Sequence, residues 1–177
     1  MLNREILEAK LSELPLLQYD FIKTDELMFS DNIRYICETE CPMYGKTWAC
    51  PPGVGSIDEC RARCLAFDDA LIITTVAEVS DISDIEETLA TRGEHEKITR
   101  IVRDYVAEQA GETFVLSTEA CAHCGECSYP DAPCRHKDYM FPCVESHCIV
   151  VTDIAEKHGI DFIGGNFVTW FSIVFYK

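Results

Sequence analysis

The chain has 177 residues, enough for one compact domain with its own core, and its 47% hydrophobic and 26% charged shares are those of an ordinary globular protein. Against 15 Lys and Arg stand 31 Asp and Glu, a formal charge of −16, which argues against nucleic acid as a partner because neutralising phosphates takes an excess of cations. Eleven cysteines are far above the usual share; their odd number, a charged start without an apolar leader and the lack of a membrane-spanning run point to a reducing cytoplasm with metal-bound thiolates rather than a secreted or membrane protein.

Leu2, Ile6, Leu7 and Leu11 recur at helical spacing and predict an amphipathic helix over 2–13, ended by Pro15. Tyr19–Lys23 and Asn32–Cys37 read as short strands. The second leads into a first cysteine group, Cys37, Cys41 and Cys50, in a loop carrying Gly45, Gly53 and three prolines, so the segment is irregular and shaped by what it binds. Tyr44 occupies the place where a radical-SAM pattern needs its third cysteine. Tyr44 and Trp48 are candidates to shield a metal from water, against ordinary packing for either ring. Gly53-Val54-Gly55 lacks the lysine and third glycine of a phosphate loop.

Ser56 and Glu59 form a capping box, so a helix starts at Ile57. Cys60 on that helix is a candidate fourth ligand of the first group, and Cys64 is assigned to packing. Leu71–Val76 is a buried strand. A second capping box at Ser83–Glu86 opens one long helix, or two broken near Gly93, running to Ala110 with Gly111 as its stop. His95, between Glu94 and Glu96, is expected in solvent. Thr113–Ser117 is the next strand, and with the strand and helix before it makes a βαβ-like unit.

That strand delivers the chain to Cys121, Cys124 and Cys127, with Cys134 after a stretch stiffened by Pro130 and Pro133. Two consecutive two-residue gaps gather three thiols around one small volume and suit a corner of an iron–sulfur cluster. Zinc sites more often use two separated pairs, and cysteines so close cannot easily pair as disulfides. Arg135 and Lys137 could offset an anionic cluster, and His123 and His136 are expected beside the metal or in solvent rather than on it. Glu38, Glu40 and Glu126 are near the thiols in a chain where carboxylates abound. Pro142 is placed early in a helix carrying Cys143, with Cys143 and Cys148 assigned to packing; Ile149–His158 continues helically to Gly159. Phe167–Tyr176, apolar on both faces, is a central strand or a partner surface, and so leaves a homodimer open.

Arg34, Cys37, Cys41-Pro42, Tyr44-Gly45, Trp48 and Cys50-Pro51-Pro52, followed by Cys121, Cys124, Cys127 and Cys134-Arg135, resemble the predicted metal-binding proteins of domain of unknown function 2284, mostly from anaerobic bacteria and archaea. The resemblance runs from about Tyr19 to the last strand and implies metal binding in an anaerobic, cytoplasmic setting. Where those proteins commonly have a Ser-Met-Glu-Ala-like helix followed by Gly-Ile, this chain has Cys143 to Ile149: Glu145 keeps the acidic position and Cys148 takes the place of the glycine.

The expected protein is thus a single α+β domain, residues 1–177, with a small mixed sheet, flanking helices and two Cys-rich loops. Its expected cofactor is one or two [4Fe–4S] clusters. One would be held by Cys121, Cys124, Cys127 and Cys134, and the other by Cys37, Cys41 and Cys50 with Cys60; ligand exchange between the groups, or one cluster bound by both loops, is also allowed. One-electron transfer to an oxidoreductase or corrinoid-type system with a basic docking surface is the function that follows. The alternatives are a Zn2+-pinned interaction module and an enzyme with an open iron at a three-thiolate cluster.

Overall fold

The computed structural model describes residues 2–121 and 123–177. In chain order the helices are α1 (Arg4–Leu11), α2 (Asp31–Thr39), α3 (Ile57–Leu65), α4 (Ile85–Ala90), α5 (Arg92–Ala110) and α6 (Val151–Lys157). The strands are β1 (Gln18–Lys23), β2 (Asp69–Glu78), β3 (Thr113–Ser117) and β4 (Phe167–Tyr176). They lie side by side as β1–β2–β4–β3, and every neighbouring pair is antiparallel. The fold is α+β as expected, with an antiparallel sheet in place of a mixed one. β2, α5 and β3 do make a strand–helix–strand unit, but β4 is inserted between its two strands, so no parallel pair forms.

β4 accounts for the layering. Successive side chains of a strand point to opposite faces. Phe171, Ile173 and Phe175 join Ile22, Ile72, Leu116, Cys64, Phe67, Ile149 and Ile154 in one core cluster. Val174 and Tyr176 join Leu71, Ile73, Val115, Val102 and Val106 of α5, and Leu7 and Leu11 of α1, in the other. Helices cover both faces, which is why this strand is apolar throughout. Trp170 to Tyr176 are buried within the chain, so β4 is a central strand of the sheet. Among the described residues no helix is long and apolar enough to cross a membrane.

Three local expectations are corrected here. Asn32–Cys37 is helical, inside α2, because its β-branched content is overridden by tertiary contacts: buried Arg34 donates to the carbonyls of Gly55 (3.0 Å) and Ser146 (2.8 Å). The helix α4 is capped by Asp84 in place of the expected Ser83–Glu86 box: the Asp84 carboxylate accepts from Glu87 N, and the Glu87 carboxylate accepts from Ser80. The break between α4 and α5 falls at Thr91, and Gly111 stops α5 as expected. His95 is buried at 1% exposure, since Arg92, His95, Glu96, Thr99, Val102 and Val106 form the inward face of α5. Its two ring nitrogens meet Thr75 Oγ1 at 2.8 Å and Ser172 Oγ at 2.7 Å. Burial, with the Arg92 charge adding to it, brings His95 down to about 3.

The stretch around Cys143 is not a helix. Cys143 pairs with Ser117 at the end of β3 as a parallel bridge, a 3-10 turn follows at Glu145–His147, and Cys148 stands at φ 62. That left-handed conformation favours glycine, which is what the resemblance leads one to expect at this position.

Candidate metal centre

The first thiol set is assembled from three separate parts of the chain. α2 carries Cys37 in its last turn, and Cys41 follows the helix end. The loop beyond folds back on itself, Gly45 N donating to Pro51 O at 2.8 Å and Cys50 N to Thr47 O at 3.3 Å. Gly53 is required there: a Cβ would come within 2.8 Å of Thr47 O and 3.1 Å of Cys50 O and the Tyr129 ring. Gly55, at φ 95, leads into the Ser56–Glu59 capping box of α3, so both glycines have a structural use rather than a phosphate to bind. The third part is Cys143, whose N–H donates to Ala49 O at 3.0 Å.

Cys37, Cys41, Cys50 and Cys143 line one cavity of about 320 Å3, with Met43, Tyr44, Glu119 and Glu145 among its walls. Cys143 Sγ lies 2.6 Å from Glu145 Oε2. Burial, with Cys41, Cys50 and Glu145 adding to it, pushes Cys37 up to about 11. Burial also raises Cys50, and it takes Cys143, beside Glu145, well above the ordinary thiol range. A metal bound by these thiols would displace their protons and supply the positive charge that the set lacks.

The second set is local. Cys121, Cys124, Cys127 and Cys134, all half-exposed, line a tight cavity of about 20 Å3 with Trp48, His123 and His136. Trp48 reaches over from the first loop: its Nε1 donates to Ala132 O at 3.0 Å and its ring meets Tyr129 edge-on at 4.9 Å. The rings of His123 and His136 lie 4.6 Å apart, and His123 stacks on Tyr139. Arg135 donates to Glu126 O, while Arg103 of α5 holds the carbonyl of Asp138 at 2.9 Å. Tyr44 thus borders the first set and Trp48 the second. Glu38, Glu40 and Glu126 are exposed.

Cys60 stands apart from both cavities. Fully buried on α3, its sulfur lies 3.5 Å from Arg34 Nη2 and 3.6 Å from Val54 O. The thiols that its charge influences are Cys64 and Cys148, both also fully buried. Cys60 and Cys148 belong to the interior around Arg34, and Cys64 to the core cluster with Phe67.

The two sets are neighbours. Glu119, at φ 67, turns the chain sharply after β3, so that Glu119 and Ala120 line the first cavity and Cys121 the second. Arg92, 3% exposed, donates to Ala120 O and pairs with Glu96 at 2.7 Å. Burial raises Cys50, Cys121 and Glu145, and the Arg92 guanidinium works against it at all three. Neither this cation's place nor that of Cys143 is legible in sequence spacing, because both reach the thiols only through the fold.

A family model described as predicted metal-binding protein (DUF2284) matches residues 20–176. The chain belongs to this family. No curated protein and no solved structure matches it. The family match contains both thiol sets, and its metal-binding description agrees with the eleven cysteines. The donors fit a thiophilic metal or cluster: soft sulfurs in groups of four, one group facing open space. Among the described residues no three Cys, His, Asp or Glu side chains already converge on a single ion-sized point.

Proposed function

We propose that this chain is a cytoplasmic iron–sulfur protein that passes single electrons to a larger oxidoreductase or corrinoid-type system. The observation that supports this most is the sorting of eight cysteines into two adjacent groups of four, each facing its own cavity. Cys121, Cys124, Cys127 and Cys134 would hold one [4Fe–4S] cluster, and Cys37, Cys41 and Cys50 would supply three ligands of a second. A bound cubane supplies reversible one-electron storage. The chain's own residues set its surroundings: Tyr44 and Trp48 border the two sites, and Arg92 puts a fixed positive charge between them.

The face beside the first set carries exposed Tyr35 and Ile36 next to Glu38, Glu40 and Glu119. An apolar patch rimmed by carboxylates suits a redox partner with a basic docking surface. The test is anaerobic purification, with iron, acid-labile sulfide and zinc counted per chain and the visible spectrum taken before and after dithionite. Iron and sulfide in matching amounts, about eight per chain, with absorbance that bleaches on reduction, are expected.

One observation favours a second reading. The second cavity, at about 20 Å3, is closer to the size of an ion than of a cubane. Zinc there would pin the loop and contribute folding energy without redox chemistry. Stoichiometric zinc and a colourless protein would establish that reading in place of the first.

A further inference from the structure

We infer that Cys143 is the fourth ligand of the first metal site and that Cys60 is not a ligand. This rests on the reading of that site as a metal centre and names the residue that closes it.

The backbone places Cys143 from two sides. Its N–H is bonded to Ala49 O, the residue before Cys50, and the residues flanking it are tied to the end of β3: Ser117 N donates to Pro142 O at 3.0 Å and Val144 N to Ser117 O at 2.9 Å. The position is therefore set by the sheet and by the first cysteine loop together, independently of any metal. The side chain is 7% exposed, and what it borders is the cavity that Cys37, Cys41 and Cys50 also line.

Its surroundings are not those of a packing cysteine. Cys64, which does pack, lies in a core cluster with Phe67, Phe175 and other apolar residues. Cys143 instead sits against the Glu145 carboxylate, in a cavity holding three further thiols. Gathering acidic groups out of water is unfavourable unless something positive joins them. A metal centre bound by four thiolates provides that charge, and Cys143 brings the set to the number that both a cubane and tetrahedral zinc take. Cys60 already has its partners: a guanidinium and a backbone carbonyl hold its sulfur on α3, and it lines neither thiol cavity.

The experiment compares the full-length wild type with C143A, C143S and C60A, all purified anaerobically, by iron, sulfide and zinc per chain and by electron paramagnetic resonance of the reduced proteins. Circular dichroism and the metal kept at the second set report an intact fold. C143S covers the case in which C143A misfolds, since serine keeps the size and the hydrogen-bond donor to Glu145. The expected result is about half the wild-type iron in C143A, loss or alteration of one resonance signal in C143S, and wild-type values in C60A. Full iron in C143A, or halved iron in C60A, overturns the assignment while leaving the cluster reading intact. If the wild type carries zinc and no iron, the cluster reading fails, and the same variants are read in zinc: a halved count in C143A upholds the ligand, an unchanged count overturns it. A wild type that binds neither metal removes both.

Discussion

The two thiol sets differ in how the chain makes them. The second lies within a single loop, half-exposed and drawn tight, and its spacing alone brings three sulfurs together. The first draws on α2, the loop after it and the segment behind β3; it runs from exposed Cys41 through half-buried Cys37 to buried Cys50 and Cys143, and it faces about 320 Å3 of space. A local set can gather around a metal before the rest of the chain is ordered, whereas a set built from distant segments exists only once the sheet has formed. The same protein thus holds one thiol set legible as a motif and one legible only as a place.

The largest effect that would sharpen this contrast is metal removal. A chelator is expected to strip the second set, which a single loop holds, at least roughly tenfold faster than the first, which the folded sheet holds, and full removal to cost on the order of 5 kcal/mol or more of unfolding free energy. Metal counts along the time course, followed by urea melts of each species, check both parts. Equal release rates would abolish the distinction.

Arg92→Met comes next. It leaves Glu96 buried opposite only Arg100, 3.7 Å away, and removes the cation between the two sets. A loss of about 3 to 5 kcal/mol in urea unfolding is expected, together with weakened metal retention at both sets. Retention impaired at one set alone would show that the cation serves only that side.

His95 predicts an acid sensitivity that belongs to the scaffold and to neither set. Its folded pKa is depressed, to about 3, so between there and the unfolded value near 6.5 the unfolded chain binds the extra proton. Its stabilising share is whole above about pH 6.5 and is lost as pH falls through the window. From pH 7 to pH 5 the loss is about 2 kcal/mol. His95→Gln should flatten that part of the curve in urea melts run across pH on the metal-free chain.

Gly53→Ala tests the seam between the two loops, since the added methyl meets Thr47 O and the Tyr129 ring. We expect about 1 to 3 kcal/mol of destabilisation and a shift in Trp48 fluorescence as the Trp48–Tyr129 contact opens. Ser56→Ala, which removes the cap of α3 outside both cavities, is the smallest effect: about 1 kcal/mol in a thermal melt, with metal content unchanged.

Local rules carried most of the elements. Helical spacing in α1, the Ser56–Glu59 box, Gly111 and Gly159 as stops, and the β-branched runs of β2, β3 and β4 are all encoded within a few residues of where they act. So is the grouping of Cys121, Cys124, Cys127 and Cys134. The family resemblance carried the expectation of metal binding further than any spacing could, and the match over residues 20–176 supports it.

Tertiary structure decided what depends on contact between distant residues. Asn32–Cys37 became helix because Arg34 finds carbonyls from two other segments. His95 went inward because the period of a long helix, and not its charged neighbours in sequence, sets its direction. β4 entered between β2 and β3 and made the sheet antiparallel. The first set received Cys143 in place of Cys60 at its cavity for the same reason: no sequence interval measures the distance between residues joined through a sheet.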